Sequence, residues 1–231
     1  MKKIGLIGGM SWESTAVYYA LINKKVGELS GGFHSSKCIL ESVDFAEVQE
    51  LQHNNDWNRL NTIMADAAKR LEKCGAEVII LCTNTMHLCS ESIIKEISVP
   101  FLHIADATGR QIVKQGIKKV ALLGTKFTME KEFYKGKLKE DFDLKVMVPD
   151  EKDRILVHDI IYKELVHGQL KTESKEEYKR IIKRMESKGA QGVILGCTEI
   201  PLLIKQSDVD IPVFDTTKIH AESTVEFALK I

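Results

Sequence analysis

Short apolar, β-branched runs alternate with segments of helical periodicity along the chain. Residues 4–7, 39–43 and 78–81 are apolar runs whose length and composition predict strands. In residues 56–74, apolar side chains recur every three or four positions, which predicts a helix with one face on a sheet. Gly75 follows as the residue that ends this helix. Such alternation is typical of α/β proteins with parallel sheets.

The same order of motifs occurs twice. The strand-and-glycine motif IGLIGG at residues 4–9 is matched by VALLGT at residues 120–125. The helix-end and strand motif GAEVIILCTNT at residues 75–85 is matched by GAQGVILGCTE at residues 189–199. In both halves the glycine of the first motif and the cysteine of the second are about 74 positions apart. We therefore interpret the chain as a duplicated α/β lobe.

An apolar-Pro-apolar triplet completes each half, VPF at residues 99–101 and IPV at residues 211–213. We predict a first lobe of residues 1–100, joined by a final helix at about 214–231, and a second lobe of residues 101–213. Each lobe is expected to be a parallel sheet flanked by helices. A pseudo-two-fold axis is expected to relate the lobes, with the active site in the cleft between them.

A Cys-Thr pair directly follows the same strand in both halves, Cys82-Thr83 and Cys197-Thr198. In an open parallel sheet, the residues that follow the strands lie at the ligand crevice. We therefore expect the two thiols on opposite walls of the cleft. A helix start is predicted after each thiol, with Pro201 in the first turn of the second helix, and a helix amino terminus lowers a thiol pKa.

Two opposed thiols fit a reaction that inverts one carbon atom. Inversion at Cα needs a base on one face and an acid on the other, and a thiolate and a thiol supply both roles. Backbone N–H groups and the side chains of Thr83, Asn84, Thr85 and Thr198 are expected to hold the substrate carboxylate as it becomes enolate-like. A packing role for each cysteine leaves their symmetric placement unexplained.

Composition narrows the range of partners. Lysine plus arginine and aspartate plus glutamate both total 33, without a basic run that interleaves aromatic residues, so we expect neither nucleic acid nor a membrane as a partner. The amino-terminal apolar run is shorter than a signal-peptide core, and no apolar run is long enough to span a bilayer. We expect a cytoplasmic location. The five cysteines are not arranged as a disulfide framework or a zinc motif.

Four motifs carry a resemblance to a known family: GLIGGMSWEST, LCTNTMH, HIADATG and GVILGCTEIPLL. Together they resemble the aspartate/glutamate racemase family, and most of all its branch of broad-specificity amino-acid racemases, along essentially the whole chain. The resemblance implies a two-lobed homodimer that uses no cofactor and no metal, with catalysis by Cys82 and Cys197.

The resemblance also implies roles for further residues. His87 and Glu199 flank the thiols and are candidates for tuning them, with local hydrogen bonding on a helix face as the alternative. Substrate binding is implied for Met10, for Gln52 in the loop after the second strand, for Thr83, Asn84 and Thr85, for Thr125 at the position matching Gly9, and for Thr198.

Two positions depart from the family members that are specialised for aspartate. Those members carry cationic residues where this chain has Gln49 and Val166. Strict aspartate specificity is therefore not expected, and aspartate, glutamate or a broader set of amino acids are all open as substrates. Gln52, His167 and Gln169 are the candidate contacts to the substrate side chain.

Other functions remain open on the same scaffold. An isomerase or decarboxylase of a small dicarboxylate would keep the lobes, and a non-catalytic amino-acid sensor would keep the cleft. Neither requires two opposed thiols. The glycines at the amino terminus do not form the G-x-G-x-x-G pattern of dinucleotide binding, and a cysteine hydrolase would leave the second Cys-Thr pair unexplained.

Overall fold

The computed structural model describes residues 1–230. They form two compact units, one of Met1–Ile104 together with the chain from His220 onward, and one of Ala105–Ile219. Within the described residues, no helix has the length and apolar character that a membrane crossing requires.

The helices and strands follow one another in βα order along the chain. The first part contains β1 (Ile4–Gly8), α1 (Trp12–Ser30), β2 (Cys38–Ser42), α2 (Phe45–His53), α3 (Trp57–Lys73), β3 (Val78–Leu81), a 3-10 turn (Thr85–Cys89), α4 (Ser90–Glu96) and α5 (Ile104–Lys114). The remainder contains β4 (Lys119–Gly124), α6 (Lys126–Glu130), α7 (Glu132–Phe142), β5 (Lys145–Met147), α8 (Glu151–Lys163), a 3-10 turn (Leu165–His167), α9 (Thr172–Ser187), β6 (Val193–Gly196), α10 (Ile200–Leu203), a 3-10 turn (Gln206–Asp208), β7 (Val213–Asp215) and α11 (Thr216–Leu229).

The first unit is built on a parallel sheet of order β2-β1-β3. Phe101 extends this sheet by a single parallel bridge to Ile79. The predicted strands and the predicted helix are confirmed. Asp56 caps α3 by accepting a hydrogen bond from the backbone N–H of Arg59 at 3.0 Å. The apolar stripe of α3, with Leu60 completely buried, packs on the sheet.

The second unit is built on a parallel sheet of order β5-β4-β6-β7. Its two central strands place Gly124 beside Gly196. A Cβ on Gly124 would lie 2.8 Å from the carbonyl oxygen of Gly196, so the close approach of these strands requires glycine. In each unit, the strand that carries the glycine motif is flanked by the strand that leads to the Cys-Thr pair. The predicted α/β architecture with two parallel sheets is confirmed.

The last strand belongs to the second unit, whereas the last helix belongs to the first unit from His220 onward. In β7, Phe214 pairs with Ile194 of β6. Further along, the buried face of α11 packs against β1 and β3 in the first unit, through residues such as Ala221 and Val225. The chain therefore returns to its first sheet after completing the second.

The prediction that Gln52 lies in a loop is wrong, because residues 45–53 form α2. Asp44 caps this helix by accepting a hydrogen bond from the N–H of Ala46 at 3.0 Å. Val48 and Gln52, one turn apart, are its buried residues. A nine-residue helix with so narrow an apolar stripe gives only a weak periodic signal in the sequence.

Candidate active site

The first unit places a glycine turn where β1 ends. Gly9 has a φ of 90°, and a Cβ at this position would lie 2.2 Å from the carbonyl oxygen of Val43. The N–H of Gly9 donates to Oγ1 of Thr15 at 2.8 Å. Met10 follows with 5% of its surface exposed. The backbone of this turn is thus held at the carboxyl edge of the sheet, and no side chain larger than hydrogen fits at Gly9.

Cys82 lies directly after β3, and its N–H donates to the carbonyl oxygen of Ile7 at 2.9 Å. Its side chain is completely buried in the core that contains Ile4 and Ile80. Burial raises the pKa of the Cys82 thiol above its usual range. The expected lowering of this pKa is wrong, because burial outweighs the effect of the 3-10 turn at Thr85–Cys89 and of α4, which continues it.

His87 connects the residues that follow Cys82. Its ring Nδ1 lies 2.8 Å from the carbonyl oxygen of Thr83, and its backbone N–H donates to the carbonyl of Asn84 at 3.1 Å. Asn84 and Thr85 are 4% and 7% exposed. The predicted site residues 83–85 therefore form one short loop at the sheet edge, held by His87.

Gln52 lies beside the same 3-10 turn although it comes from α2. Its Nε2 donates to the sulfur of Met86 at 3.0 Å, and the residue is 5% exposed. The structure thus brings Gln52 to the segment that follows Cys82. Gln49 lies in the same helix and is partly buried.

The second unit places Cys197 directly after β6, beside a carboxylate. Its sulfur donates to Oε2 of Glu199 at 2.8 Å, and the hydroxyl of Thr198 donates to the same oxygen at 2.7 Å. Burial and then the negative charge of Glu199 raise the pKa of the Cys197 thiol well above its usual value. The expected lowering is wrong here as well, because burial and the charge of Glu199 outweigh the effect of the four-residue helix α10. Pro201 is in its first turn, as predicted.

Thr125 ends the strand next to that of Cys197. Because Gly124 and Gly196 are paired, Thr125 and Cys197 leave neighbouring strands at the same edge of the sheet. Thr125 is 6% exposed, and its Oγ1 accepts from the N–H of Thr128 at 3.3 Å to cap α6. Thr125, which was predicted as a site residue, therefore lies on the strand end beside that of the second thiol.

The candidate side-chain contacts in the second unit lie in or next to the 3-10 turn after α8. Val166 is partly buried and packs against the core, whereas His167 and Gln169 are exposed. Val166 therefore provides no positive charge at this position.

Sequence reasoning missed the two tyrosines around Cys197. Burial, followed by the negative charges of Cys197 and Glu199, raises the pKa of Tyr162 to about 12. Tyr178 is completely buried, its hydroxyl donates to the carbonyl of Val157 at 3.2 Å, and burial first and then Cys197 raise its pKa. Both tyrosines lie on helices, α8 and α9, where no local motif distinguishes them from ordinary packing residues.

Thr217 was missed as well. It follows β7, the strand beside that of Cys197, and is 2% exposed. Its hydroxyl has no hydrogen-bond partner within residues 1–230. In the same range, no three His, Cys, Asp or Glu side chains are grouped as metal ligands.

The comparisons with known proteins agree with the motifs. The model of the Asp/Glu/hydantoin racemase family matches residues 7–224. The broad specificity amino-acid racemase RacX of Bacillus subtilis (strain 168) is 29% identical over 172 residues, which are 74% of this chain and 73% of RacX.

Two solved structures are similar over nearly the whole chain. A candidate Asp/Glu racemase from Yersinia pestis is 51% identical with a TM-score of 0.95, covering 99% of this chain and 100% of that one. An aspartate racemase homologue from Pyrococcus horikoshii OT3 is 42% identical with a TM-score of 0.86, also covering 99% and 100%. The chain therefore belongs to the Asp/Glu/hydantoin racemase family and is an isomerase, a PLP-independent amino-acid racemase.

Proposed function

We propose that the chain interconverts L and D amino acids by moving the Cα proton between Cys82 and Cys197. One observation carries this proposal: each thiol directly follows the strand beside the glycine-motif strand of its own unit. The equivalent strand of each unit is followed by a cysteine. Two such thiols suit a reaction that needs one base and one acid. The scheme requires the two thiols to reach opposite faces of Cα.

In the proposed reaction, one cysteine as thiolate removes the Cα proton, and the C–H electron pair moves into the carboxylate, which becomes enolate-like. The other cysteine donates its thiol proton to the opposite face. The product is the enantiomer, and the two cysteines have exchanged protonation states. Because burial raises both thiol pKa values, the substrate ammonium group is the charge that favours the thiolate in the complex.

Glu199 is proposed to tune Cys197. Its carboxylate accepts the thiol hydrogen bond and holds Cys197 protonated, which suits the acid role. The position two residues after Cys82 holds the neutral Asn84 instead, so the two thiols have different partners.

The proposed substrates are aspartate, glutamate or a broader set of amino acids. The carboxylate would be bound by the loop of Thr83, Asn84 and Thr85 and by Thr125 and Thr198, with Met10 and Gln52 lining the first unit's side. Gln49 and Val166 provide no positive charge for a second carboxylate, which supports a wider range than aspartate alone. RacX, described as broad in specificity, is consistent with that range.

Proton NMR of candidate amino acids in heavy water, combined with chiral chromatography, tests the scheme. The wild type should lose the Cα signal of its substrate and form the other enantiomer. C82A and C197A should each lower racemisation at least about 100-fold. C74A, at an exposed cysteine, is the matched control and should leave the rate unchanged. Near wild-type racemisation by either site variant would refute the two-cysteine scheme.

Two further measurements, NMR with dicarboxylates as substrates and amino-acid binding by calorimetry, test the other functions. Conversion of a dicarboxylate without racemisation of any amino acid would indicate the isomerase or decarboxylase alternative. Saturable binding of an amino acid without exchange of its α-proton would indicate the sensor.

We further propose that the chain is a homodimer that acts in the cytoplasm. The first unit exposes apolar surface on α1 and the edge strand β2, where Trp12, Tyr19 and Leu40 are 69%, 55% and 50% exposed. They line a groove of about 570 Å³ that also includes Cys38. Apolar patches of this kind mark association surfaces. Sedimentation should give a dimer for the wild type and a monomer for L40E, and cell fractionation tests the location.

A further inference from the structure

Three histidines lie together in the interior of the first unit. His87 and His220 are completely buried, and His103 is 6% exposed. The ring centroid of His87 is 4.5 Å from that of His103 and 5.8 Å from that of His220. The histidine cluster, as we call these three residues, lies directly under the loop that follows Cys82.

Hydrogen bonds define the tautomer of His87. Its Nδ1 faces the carbonyl oxygen of Thr83, which only accepts, so Nδ1 carries the proton. Its Nε2 accepts from the backbone N–H of Ile104 at 3.2 Å and therefore carries no proton. Both ring nitrogens are used, and the ring is neutral.

His220 has the opposite tautomer. Its Nε2 donates to the carbonyl of Leu102 at 2.9 Å, and its Nδ1 accepts from the hydroxyl of Tyr18 at 2.9 Å. Burial lowers the pKa of His220 to about 4. Burial, then the rings of His103 and His220, lower the pKa of His87 well below the usual 6.5. The four ring nitrogens of His87 and His220 are engaged, which excludes a metal on them.

We propose that His87 is a positioning residue of the racemase site, holding the Thr83 carbonyl so that the peptide after Cys82 keeps one orientation. This inference rests on the proposed function. In a planar trans peptide, the C=O and the N–H point in opposite directions. Because the Thr83 carbonyl points at His87, the N–H of Asn84 points away from the ring, outward from the histidine cluster.

The second bond of His87 anchors this loop to another element. The N–H of Ile104 belongs to the first residue of α5, so the imidazole is a rigid link between the end of β3 and the start of α5. An oriented N–H at a buried loop stabilises developing carboxylate charge without reorganisation. Loss of the link should therefore affect the rate of proton transfer more than it affects substrate binding.

Long-range ¹H–¹⁵N NMR correlations test the geometry in the wild type. We expect His87 as the Nδ1–H tautomer and His220 as the Nε2–H tautomer at pH 7. The rings that face these two groups are His103, Phe101 and Tyr18. His87 as the Nε2–H tautomer would overturn the proposal, because neither the Thr83 nor the Ile104 bond could then form as described. A charged His87 would overturn it as well, because Nε2 could not then accept from Ile104 and the link to α5 would be lost.

Kinetics of α-proton exchange separate positioning from packing. H87L should lower kcat about 10- to 100-fold with KM changed less than about threefold. H87N keeps a side-chain N–H donor for the Thr83 carbonyl. The logarithm of its kcat should therefore lie at least about a third of the way from the H87L value back to the wild-type value. H220L, which removes a ring of the same cluster with comparable burial, should lower the melting temperature while kcat stays within about threefold.

The outcomes are distinguishable. A wild type that exchanges no α-proton refutes the proposed function, and this inference with it. An active wild type with an H87L variant of near wild-type kcat refutes the positioning role alone. Equal losses of kcat in H87L and H220L would assign both histidines to packing.

Discussion

The two thiols have unlike partners at the residue scale. The Cys197 sulfur donates to Glu199, whereas the residue at the same distance from Cys82 is an amide, Asn84. A carboxylate in hydrogen-bond contact favours the protonated thiol. The symmetry of the repeat therefore ends at this pair, and the free protein is expected to hold Cys197 more firmly protonated than the strand-end position alone would.

E199Q should lower the pKa of the Cys197 thiol. The substitution removes the negative charge and offers an amide N–H to the thiolate, and both changes favour ionisation. We expect the midpoint of Cys197 alkylation by iodoacetamide, followed by mass spectrometry, to move at least about one pH unit lower. E173Q changes an exposed glutamate of the same unit and should leave the midpoint in place. An unchanged or higher midpoint in E199Q would show that Glu199 does not hold the thiol proton.

The sequence predicted the residues at strand ends and missed the two tyrosines that approach Cys197 from helices. Cys82, Cys197 and Thr125 are found by the repeat, because a strand end fixes both the position and the direction of the next residue. Tyr162 and Tyr178 are placed near Cys197 by the packing of α8 and α9, which no local pattern encodes. The thiol pKa values are raised and not lowered, because burial outweighs the effect of the helix starts that follow the two strands.

At the element scale, a helix interior and a tight turn use glycine in different ways. Gly27 lies inside α1, where a Cβ would contact nothing within 4 Å. Gly9 lies in the turn between β1 and α1 with a positive φ and a carbonyl oxygen against its Cα. The same substitution should therefore have opposite effects at the two positions.

G27A should raise the free energy of unfolding by about 0.5–1 kcal/mol, since alanine restricts the unfolded chain and favours helix. G9A should lower it by at least about 2 kcal/mol, because the backbone conformation and the Val43 carbonyl both oppose a Cβ. Urea unfolding of the two variants and the wild type measures both values. If G9A leaves the free energy of unfolding unchanged, the turn relaxes at little cost. The backbone after β1 would then not be held rigidly at the carboxyl edge of the sheet.

Elements with strong local signals were predictable, and elements that depend on tertiary contacts were not. The strand at residues 78–81 and the helix at residues 56–74 have unambiguous patterns, and the structure has them within one residue. The start of α2 depends on the capping side chain of Asp44. The 3-10 turn at Thr85–Cys89 depends on the buried His87. Their conformation follows from tertiary contacts such as that of Gln52 with Met86.

For the whole molecule, the buried histidines couple stability to pH. A histidine that is neutral in the folded state binds fewer protons than in the unfolded chain, so stability rises with pH. For His220 the stability is fully present above the usual 6.5 and is lost as the pH falls toward its folded value of about 4. His87 acts in the same direction, whereas carboxylates remain mostly ionised at pH 5.

We expect the free energy of unfolding to fall between pH 7.5 and pH 5, with about 2 kcal/mol of the decrease due to His220. H220Q carries no titrating ring, so its decrease between these two pH values should be smaller than that of the wild type by about that amount. H34Q, at an exposed histidine, is the matched control and should behave as the wild type does. Urea unfolding at the two pH values measures each difference. A wild type equally stable at both would mean that the histidine cluster accepts protons without unfolding, which contradicts the neutral tautomers of His87 and His220.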